Sequence, residues 1–378
     1  MLKSLKNHLV NIPGWRTDKK ILVIESDDWG SIRMVSNQHF EKLLQAGLRV
    51  DLSKYDSFDA LESKEDLENL FTVLAKYKNE NGLSPKMTFN TVMANPDFQR
   101  IKESDFSVYH YRPFFQSYQD YYGQDLEPMW RQAIQEKLIQ PQFHAREHLN
   151  VSLWMRDLKR GLGSTRTAFD LDFFGLKTKT SSNFQKNYLA AYWAETQQEL
   201  EHLKEVLKEG LSLFESAFGF RSQSFIAANY VYPKVLEADL KALGIHFIQT
   251  QRGHLGPVID QSKTKIYRHY MGEPNALGQI YTIRNVLFEP YLDQNHDWVD
   301  KSMHQIQAAF FWKKPAIISS HRVNYVGEMS VKHRDDSLKK LEMLLDSIIK
   351  KWPNVIFLSS DELGQLVLKS KYDSHPQQ

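Results

Sequence analysis

The sequence predicts an α/β protein built on a closed or nearly closed barrel of parallel strands. About eight short apolar runs are continuous rather than alternating, which is typical of strands that are buried on both faces. Segments with apolar residues at helical spacing lie between these runs. Strands that alternate with helices form a parallel sheet, and about eight such strands are the number that a β/α barrel contains.

The apolar runs give the order of the predicted strands along the chain. The first strand is 21–24, and it leads directly into the polar sequence Glu-Ser-Asp-Asp at 25–28. The other strands are predicted at 86–92, 142–143, 220–226, 245–248, 280–287, 316–318 and 355–358. Helices are predicted at 61–77, 192–218 and 335–352.

The composition excludes several classes of function. The chain has 378 residues and a net charge of +2, with 42% hydrophobic and 25% charged residues. This is an ordinary globular balance, and it gives no electrostatic footprint for nucleic acid. Because there is no cysteine, a thiolate nucleophile, a disulfide and a cysteine-ligated zinc site are all excluded.

We expect one domain over residues 1–378, with loop insertions at about 100–135 and 155–190. No apolar stretch approaches the roughly 18 residues that indicate a membrane span. Residues 1–15 do not have the pattern of a signal peptide. These features predict a cytoplasmic protein, and no pattern indicates an oligomeric state.

Polar residues with catalytic chemistry follow the predicted strands. Asp27 and Asp28 follow the first strand, His144 the third and His321 the seventh, while Arg221 lies in the fourth. The carboxyl ends of all strands of a parallel barrel open on one face, which carries the active site. The sequence therefore predicts that these side chains converge.

A metal site is one interpretation of this group. His144 and His148 are spaced i, i+4, so a single helical turn would put both on one side. With one carboxylate they give three ligands and leave a position for water, as a catalytic zinc site needs. Zinc is the expected ion, although such sites also take cobalt, nickel or manganese. The alternative is a pair of surface histidines.

The other residues also allow two interpretations each. Adjacent aspartates can divide into a metal ligand and a general base, or Asp can simply cap a helix or a turn. His321 is either a general acid or a hydrogen-bonded core histidine. Arg221 either clamps a carboxylate or forms a surface ion pair of little energetic value.

Taken in order, these motifs resemble those of the polysaccharide deacetylase family. The family sequence Thr-Phe-Asp-Asp-Gly is similar to residues 26–30, and its His-(Ser/Thr)-x-x-His is similar to residues 144–148. Its arginine corresponds to Arg221, and its late histidine, at the end of an apolar strand, corresponds to His321. The resemblance covers roughly residues 20–362. Trp29 and Ala145 depart from the family pattern.

The resemblance implies a distorted (β/α)7–8 barrel and one divalent metal ion. Asp28, His144 and His148 would bind the metal. The implied enzyme is a metal-dependent hydrolase that removes an N- or O-acetyl (acyl) group from a sugar or polysaccharide precursor. Asp27 would be the base, and His321 the acid. Arg221 would orient Asp27.

The implied partner is an acylated sugar, and some residues near the motifs are predicted to contact it. These predicted substrate contacts are Trp29, Arg146, Asn229, Tyr230 and Glu289. Glu289 is also a candidate to support His321. The aromatic stretch at 104–130 is either a satellite core or a platform for sugar rings. Alternative functions are hydrolysis of a non-sugar amide or a glycosidic bond, and carbohydrate binding without catalysis.

Overall fold

A computed structural model describes residues 7–374 of the chain. Within this part of the chain no helix is both long and apolar enough to cross a membrane. The strands are β1 (Ile21–Trp29), β2 (Met87–Val92), β3 (Ala94–Pro96), β4 (Tyr111–Pro113), β5 (Ile139–Ala145), β6 (Ser224–Ile226), β7 (Phe247–Thr250), β8 (Gly253–Val258), β9 (Lys263–Arg268), β10 (Ile280–Ile283), β11 (Val286–Leu287), β12 (Ala316–His321) and β13 (Ile356–Leu358).

Helices connect most of these strands. They are α1 (Asn37–Gln45), α2 (Lys54–Phe58), α3 (Lys64–Lys76), α4 (Phe98–Glu103), α5 (Phe114–Tyr122), α6 (Glu127–Gln135), α7 (Val151–Lys159), α8 (Gly163–Phe169), α9 (Gln197–Phe218), α10 (Leu236–Ala242), α11 (Trp298–Phe311), α12 (Val331–Lys351) and α13 (Ser360–Ser374). Short 3₁₀ turns occur at Val50–Leu52, Ala228–Tyr230, Pro290–Leu292 and Arg322–Asn324.

Within residues 7–374, the main sheet contains nine strands, and all of its strand pairs are parallel. Its hydrogen-bonded order is β10-β7-β6-β5-β2-β1-β12-β11, and β13 pairs with the first residues of β1. β1 and β2 are buried along their whole length. Burial on both faces explains why these strands appear in the sequence as continuous apolar runs.

The two ends of this sheet are joined by one short stretch of chain. β10 pairs with β7, and β11 pairs with β12, yet only residues 284–285 separate β10 from β11. The Arg284 N–H donates to the Thr250 carbonyl at 2.9 Å, and the Asn285 N–H donates to the Ile317 carbonyl at 3.2 Å. β10, residues 284–285 and β11 therefore act as one continuous strand between β7 and β12. This strand closes the sheet into a distorted β/α barrel, as the sequence predicted.

The helices have sequence signals at their ends. α9 begins with a capping box in which Thr196 accepts from the Glu199 N–H while the Glu199 side chain accepts from the Thr196 N–H. This box places the start of α9 five residues after the predicted start at 192. α9 ends at Gly219, which has a left-handed φ of 77°. The buried face of α9 packs against β5 and the main core.

The aromatic-rich stretch at 104–130 contributes to the interior of the molecule. Phe114, Tyr118 and Trp130 are at most 1% exposed and belong to the main core, and Phe106 belongs to a second core cluster. The rings of Phe114 and Trp130 are 5.4 Å apart in an edge-on arrangement. Packing, rather than a sugar platform, is therefore the role of these buried rings.

A buried ion-pair network links the end of β12 to the loop between α2 and α3. Arg322, which follows β12, has no exposed surface and pairs with Asp59 and Glu62 at 2.8 Å each. Its Nη1 also donates to the Ser31 carbonyl at 2.6 Å. Removing one partner of such a network leaves buried charge without compensation, which is costly.

We predict that Arg322→Met lowers the free energy of unfolding by about 3–5 kcal/mol, because Asp59 and Glu62 lose their counter-charge. Equilibrium urea unfolding measures the change. Arg221→Met is the matched control, since Arg221 forms a pair with Glu215 that is exposed on both sides and contributes at most about 1 kcal/mol. Equal changes in the two variants would contradict the prediction.

Candidate active site

A bulge at the end of β1 turns two adjacent aspartates toward the same barrel mouth. The register of β1 against β2 shifts between Ser26 and Trp29, and Asp28 has a φ of 76°. This left-handed conformation is strained for a residue other than glycine and is typical of functional sites. In a regular strand, Asp27 and Asp28 would point to opposite faces. The bulge is therefore what lets both carboxylates serve one site.

Trp29 and Gly30 have structural roles beside this bulge. Trp29 is 1% exposed, and its ring stacks on Phe89 with centroids 3.8 Å apart. The prediction that Trp29 contacts substrate is therefore wrong, because its side chain is directed into the core. Gly30 has a φ of 82°, and a Cβ there would lie 2.6 Å from the Val92 carbonyl oxygen. Only glycine fits that position.

Asp28, His144 and His148 form a buried group whose ligand atoms all lie within 4.8 Å of one another. Asp28 Oδ1 is 3.2 Å from His144 Nε2 and 3.4 Å from His148 Nε2. His144 is the penultimate residue of β5, whereas His148 lies in the loop that follows. The prediction that a helical turn separates the two histidines is therefore wrong. A loop separates them, and it still brings the two imidazoles together.

The donor chemistry of this group fits a divalent metal ion. The Nδ1 of His144 donates to the Ile226 carbonyl at 2.9 Å, which leaves the Nε2 lone pair directed at the group, as metal-binding histidines require. His148 Nδ1 is buried and has no hydrogen-bond partner among the described residues. Two imidazoles and one carboxylate are a three-ligand set that suits zinc.

The protonation states of this group also fit metal binding. Burial lowers the pKa of His148 to about 4, so its imidazole is neutral at neutral pH. Burial opposes ionisation of Asp28, but the two imidazoles outweigh it and hold the pKa of Asp28 well below its usual value. Burial would lower the pKa of His144 too, yet the carboxylates raise it. A metal ion would replace the proton that His144 otherwise retains.

Asp27 lies in a second group, which is organised by an arginine. Arg284 Nη1 donates to Asp27 Oδ2 at 2.7 Å, and its Nη2 donates to Oδ1 at 2.6 Å. Its Nε donates to Glu25 at 2.6 Å, and Asn90 donates to Asp27 Oδ1 at 2.7 Å. Burial would raise the pKa of Asp27, but Arg284 outweighs it and lowers that pKa to about 2. Asp27 is therefore a fixed carboxylate.

The prediction that Arg221 holds Asp27 is wrong. Arg221 lies between α9 and β6, where its side chain is 71% exposed and pairs with Glu215 at 3.1 Å. The fourth strand is shorter than predicted and begins only at Ser224, so Arg221 lies before the amino end of the strand and not at the carboxyl end. Arg284, at the junction of β10 and β11, makes the contact that Arg221 was expected to make.

His321 ends β12, directly beside Asp27 in the register of β1 and β12. Its Nδ1 is 2.5 Å from Glu289 Oε1, and its Nε2 is 3.7 Å from Asp27 Oδ2. Asn324 donates to the second oxygen of Glu289 at 2.8 Å. Burial alone would lower the pKa of His321, but Glu289, followed by Asp27, raises it to about 10. The imidazole is therefore charged at neutral pH.

An open cavity of ≈420 Å³ gives access to this part of the site. Arg284, Ser319 and His321 line it. The rings of Tyr230 and Tyr291 line it as well. The remaining lining residues are Asn7, Val10, Gln251, Asn285, Val286, Leu287, Glu289, Leu292 and Gln305. Three charged site residues occur in this lining, and all are already paired: Arg284 with Asp27, and Glu289 with His321.

The predicted substrate contacts have different positions. Tyr230 and Glu289 line the cavity, and the Tyr230 hydroxyl accepts from Arg284 Nη1 at 3.0 Å. Arg146 is buried between Glu147 and Glu209, over the ring of Tyr111. Among the described residues, the Arg146 guanidinium makes its hydrogen bonds to Glu147 and Glu209 and none to the histidines or aspartates of the site, so its predicted contact with substrate is not supported. Asn229 is exposed in the turn after β6.

Sequence reasoning missed some residues of the site. Arg284 had a visible signal, since it is a charged residue within the apolar run at 280–287. Asn90 has a weaker signal of the same kind inside β2. Tyr55, whose hydroxyl donates to Asp28 Oδ2, had none, because it lies in a short helix, α2, that only the folded chain brings to the mouth.

No family model matches the chain, and no curated protein matches it in sequence. Among solved structures, the allantoinase Puue aligns with 97% of this chain and 96% of its own, with 10% identity and a TM-score of 0.46. The peptidoglycan deacetylase PdaC from Bacillus subtilis aligns with 94% of this chain and 95% of its own, with 10% identity and a TM-score of 0.39.

The Xyl-CE4 domain of a xylanase from the hindgut metagenome of Trinervitermes trinervoides aligns with 92% of this chain and 91% of its own, with 8% identity and a TM-score of 0.33. Deacetylases of polysaccharide and peptidoglycan are thus among the structures to which the chain is similar. Because the identities are so low, an assignment of function depends on the geometry of this chain's own site.

We predict that the purified protein contains one divalent metal ion per chain and that His148→Ala lowers this content to near zero, because two ligands rarely retain a catalytic ion. Elemental analysis after dialysis measures the content. His304→Ala is the matched control, since His304 is an exposed histidine that pairs with Asp300. Equal metal content in all three proteins would show that the ion binds elsewhere.

Proposed function

We propose that this chain is a metal-dependent hydrolase that removes an N- or O-acyl group from a sugar or oligosaccharide. One observation carries the proposal. A carboxylate held ionised by Arg284 and an imidazolium held protonated by Glu289 lie side by side, next to a buried Asp28-His144-His148 group. Hydrolysis of an acyl bond needs a base, an acid and an electrophile at one point.

When bound at Asp28, His144 and His148, the ion would polarise the acyl carbonyl and lower the pKa of a water molecule. Zinc is the ion that we propose. The Nδ1–H of His144 is fixed on the Ile226 carbonyl, which orients its ring toward this role.

The proton transfers fall to Asp27 and His321. The oxygen of a water molecule joins the acyl carbon, Asp27 accepts a proton from that water, and the bond from the acyl carbon to nitrogen or oxygen breaks. His321 donates its proton to the departing atom, so the products are the acid and the free amine or hydroxyl. The pKa of about 2 for Asp27 and of about 10 for His321 give both groups the required protonation at neutral pH.

The cavity supports a neutral, hydroxyl-bearing substrate. The charged side chains in its lining are internally paired. Tyr230 and Tyr291 contribute aromatic rings to the lining, and Gln251 contributes an amide. A sugar ring presents apolar C–H faces to aromatic rings and hydroxyls to amides, so this lining suits it. A charged substrate would find no unpaired partner among these residues.

The electrostatics disfavour the glycosidic alternative. A glycosidase uses two carboxyl groups, one of which must be protonated to act as the acid. The pKa values of Asp27 and Asp28 are both lowered, and Glu289 is engaged by His321. A histidine acid suits an amine or alkoxide leaving group instead.

We predict that Asp27→Asn and His321→Ala each lower kcat/KM by about 10²–10⁴-fold, the usual contribution of a general base or acid. Metal content should stay at the wild-type level, because neither residue is a proposed ligand. A panel of N- and O-acetylated sugars identifies the substrate first. If the metal-loaded wild type hydrolyses only non-sugar amides, the sugar assignment is wrong, and full turnover by both variants would contradict the mechanism.

We predict that Glu289→Gln moves the alkaline limb of the pH dependence of kcat/KM to lower pH. Glu289 raises the pKa of His321, so its removal makes the imidazolium lose its proton at lower pH. Asp293→Asn is the control, because the nearby Asp293 caps its own loop through the Asn295 N–H. An unchanged alkaline limb in Glu289→Gln would show that His321 is not the acid.

A further inference from the structure

Tyr55 reaches the proposed metal centre from outside the barrel. It lies in α2, whose first turn is capped by the Ser53 hydroxyl. Its phenolic O–H donates to Asp28 Oδ2, and no other hydrogen bond of this hydroxyl is present among the described residues. The hydroxyl is therefore directed at one carboxylate oxygen of a proposed metal ligand.

The two oxygens of Asp28 consequently have different surroundings. Oδ1 lies 3.2 Å from His144 Nε2 and 3.4 Å from His148 Nε2, whereas Oδ2 accepts from Tyr55. The hydrogen bond from Tyr55 therefore holds Oδ2 toward α2, and Oδ1 is the oxygen that faces both imidazoles. The strained φ of 76° at Asp28 sets this orientation from the backbone, and Tyr55 sets it from the opposite side.

The ring of Tyr55 is itself held in place. The Arg33 guanidinium carbon lies 4.8 Å from the ring centroid, and Arg33 Nε pairs with Asp56 at 3.0 Å in a pair whose side chains are 12% and 8% exposed. The ring also lies edge-on to His321, with centroids 5.9 Å apart. A ring with these contacts has little freedom to leave Asp28.

We infer that Tyr55 is a positioning residue of the metal centre, which restricts Asp28 to binding the ion through Oδ1 alone. The inference rests on the proposed metal-dependent function and deepens it. Hydrogen bonds to the ligands of a metal fix their orientation, and losing one typically weakens metal binding about 10–100-fold. One-oxygen binding by Asp28 also leaves coordination positions free for water and the acyl oxygen, as a catalytic site needs.

A purely structural role for Tyr55 is distinguishable from this one. Packing against Arg33 and His321 needs the ring but not the hydroxyl, so phenylalanine would serve equally well. The Tyr55→Phe variant removes the oxygen alone. Tyr291→Phe is the matched control, because Tyr291 packs edge-on against Tyr55 with centroids 5.4 Å apart and its hydroxyl has no hydrogen bond among the described residues.

The experiment is a zinc titration of the metal-free full-length proteins in competition with a chromophoric chelator. Thermal unfolding of the metal-free forms is measured alongside, as is the absorption spectrum of the Co²⁺-substituted forms. We expect wild type and Tyr291→Phe to bind one ion with the same Kd, and Tyr55→Phe to bind it about 10–100-fold more weakly. We also expect an altered Co²⁺ spectrum for Tyr55→Phe and an unchanged unfolding temperature for its metal-free form.

Equal zinc affinity and equal Co²⁺ spectra in wild type and Tyr55→Phe would overturn the inference while leaving the proposed function standing. A wild-type protein that binds no zinc would instead overturn the proposed function itself. If Tyr55→Phe is unstable, Asp56→Asn loosens Arg33, and with it the ring, while keeping the hydroxyl. That variant must then bind zinc more weakly than wild type, and unchanged affinity would overturn the inference.

Discussion

The ion pair between Asp27 and Arg284 is the interaction on which the rest of the site depends. Arg284 occupies the junction between β10, which pairs with β7, and β11, which pairs with β12. The residue that closes the barrel therefore also binds the carboxylate of Asp27. Glu25 shares the same guanidinium. Because all three groups are buried, losing the arginine would remove the hydrogen-bonded counter-charge that both carboxylates share, a strongly destabilising change. Closure of the sheet and the charge of Asp27 are thus coupled.

Two neighbouring aspartates acquire different chemistry because their surroundings differ. Asp27 faces an arginine, which keeps it charged with both oxygens engaged. Asp28 faces two imidazoles across the bulge of β1. The same principle separates His321 from His148: Glu289 raises the pKa of the first, and burial lowers that of the second. Each residue type is therefore suited to its role by its neighbours, and not by its intrinsic pKa.

Much of this site was predictable, because most of its residues directly follow apolar runs. Asp27, Asp28, His144 and His321 lie at or next to the ends of parallel strands, and those ends meet on one face whatever the details of packing. The arginine was not predictable in the same way. Arg221 and Arg284 each lie in or beside an apolar run, and only the strand boundaries and the hydrogen-bond register decide which of them faces Asp27. The sequence motifs favoured the wrong one.

The sequence by itself determined the class of fold, the strands of the main sheet in their order along the chain and five of the residues that meet at the barrel mouth, because burial on both faces and polar strand ends leave local patterns. The tertiary structure decided which arginine binds Asp27, that Trp29 is a core residue, and that Tyr55 reaches Asp28. These contacts join segments far apart in the chain through a bulge, a strand junction and a short helix. Their geometry depends on packing between elements, which no periodicity within a single element encodes.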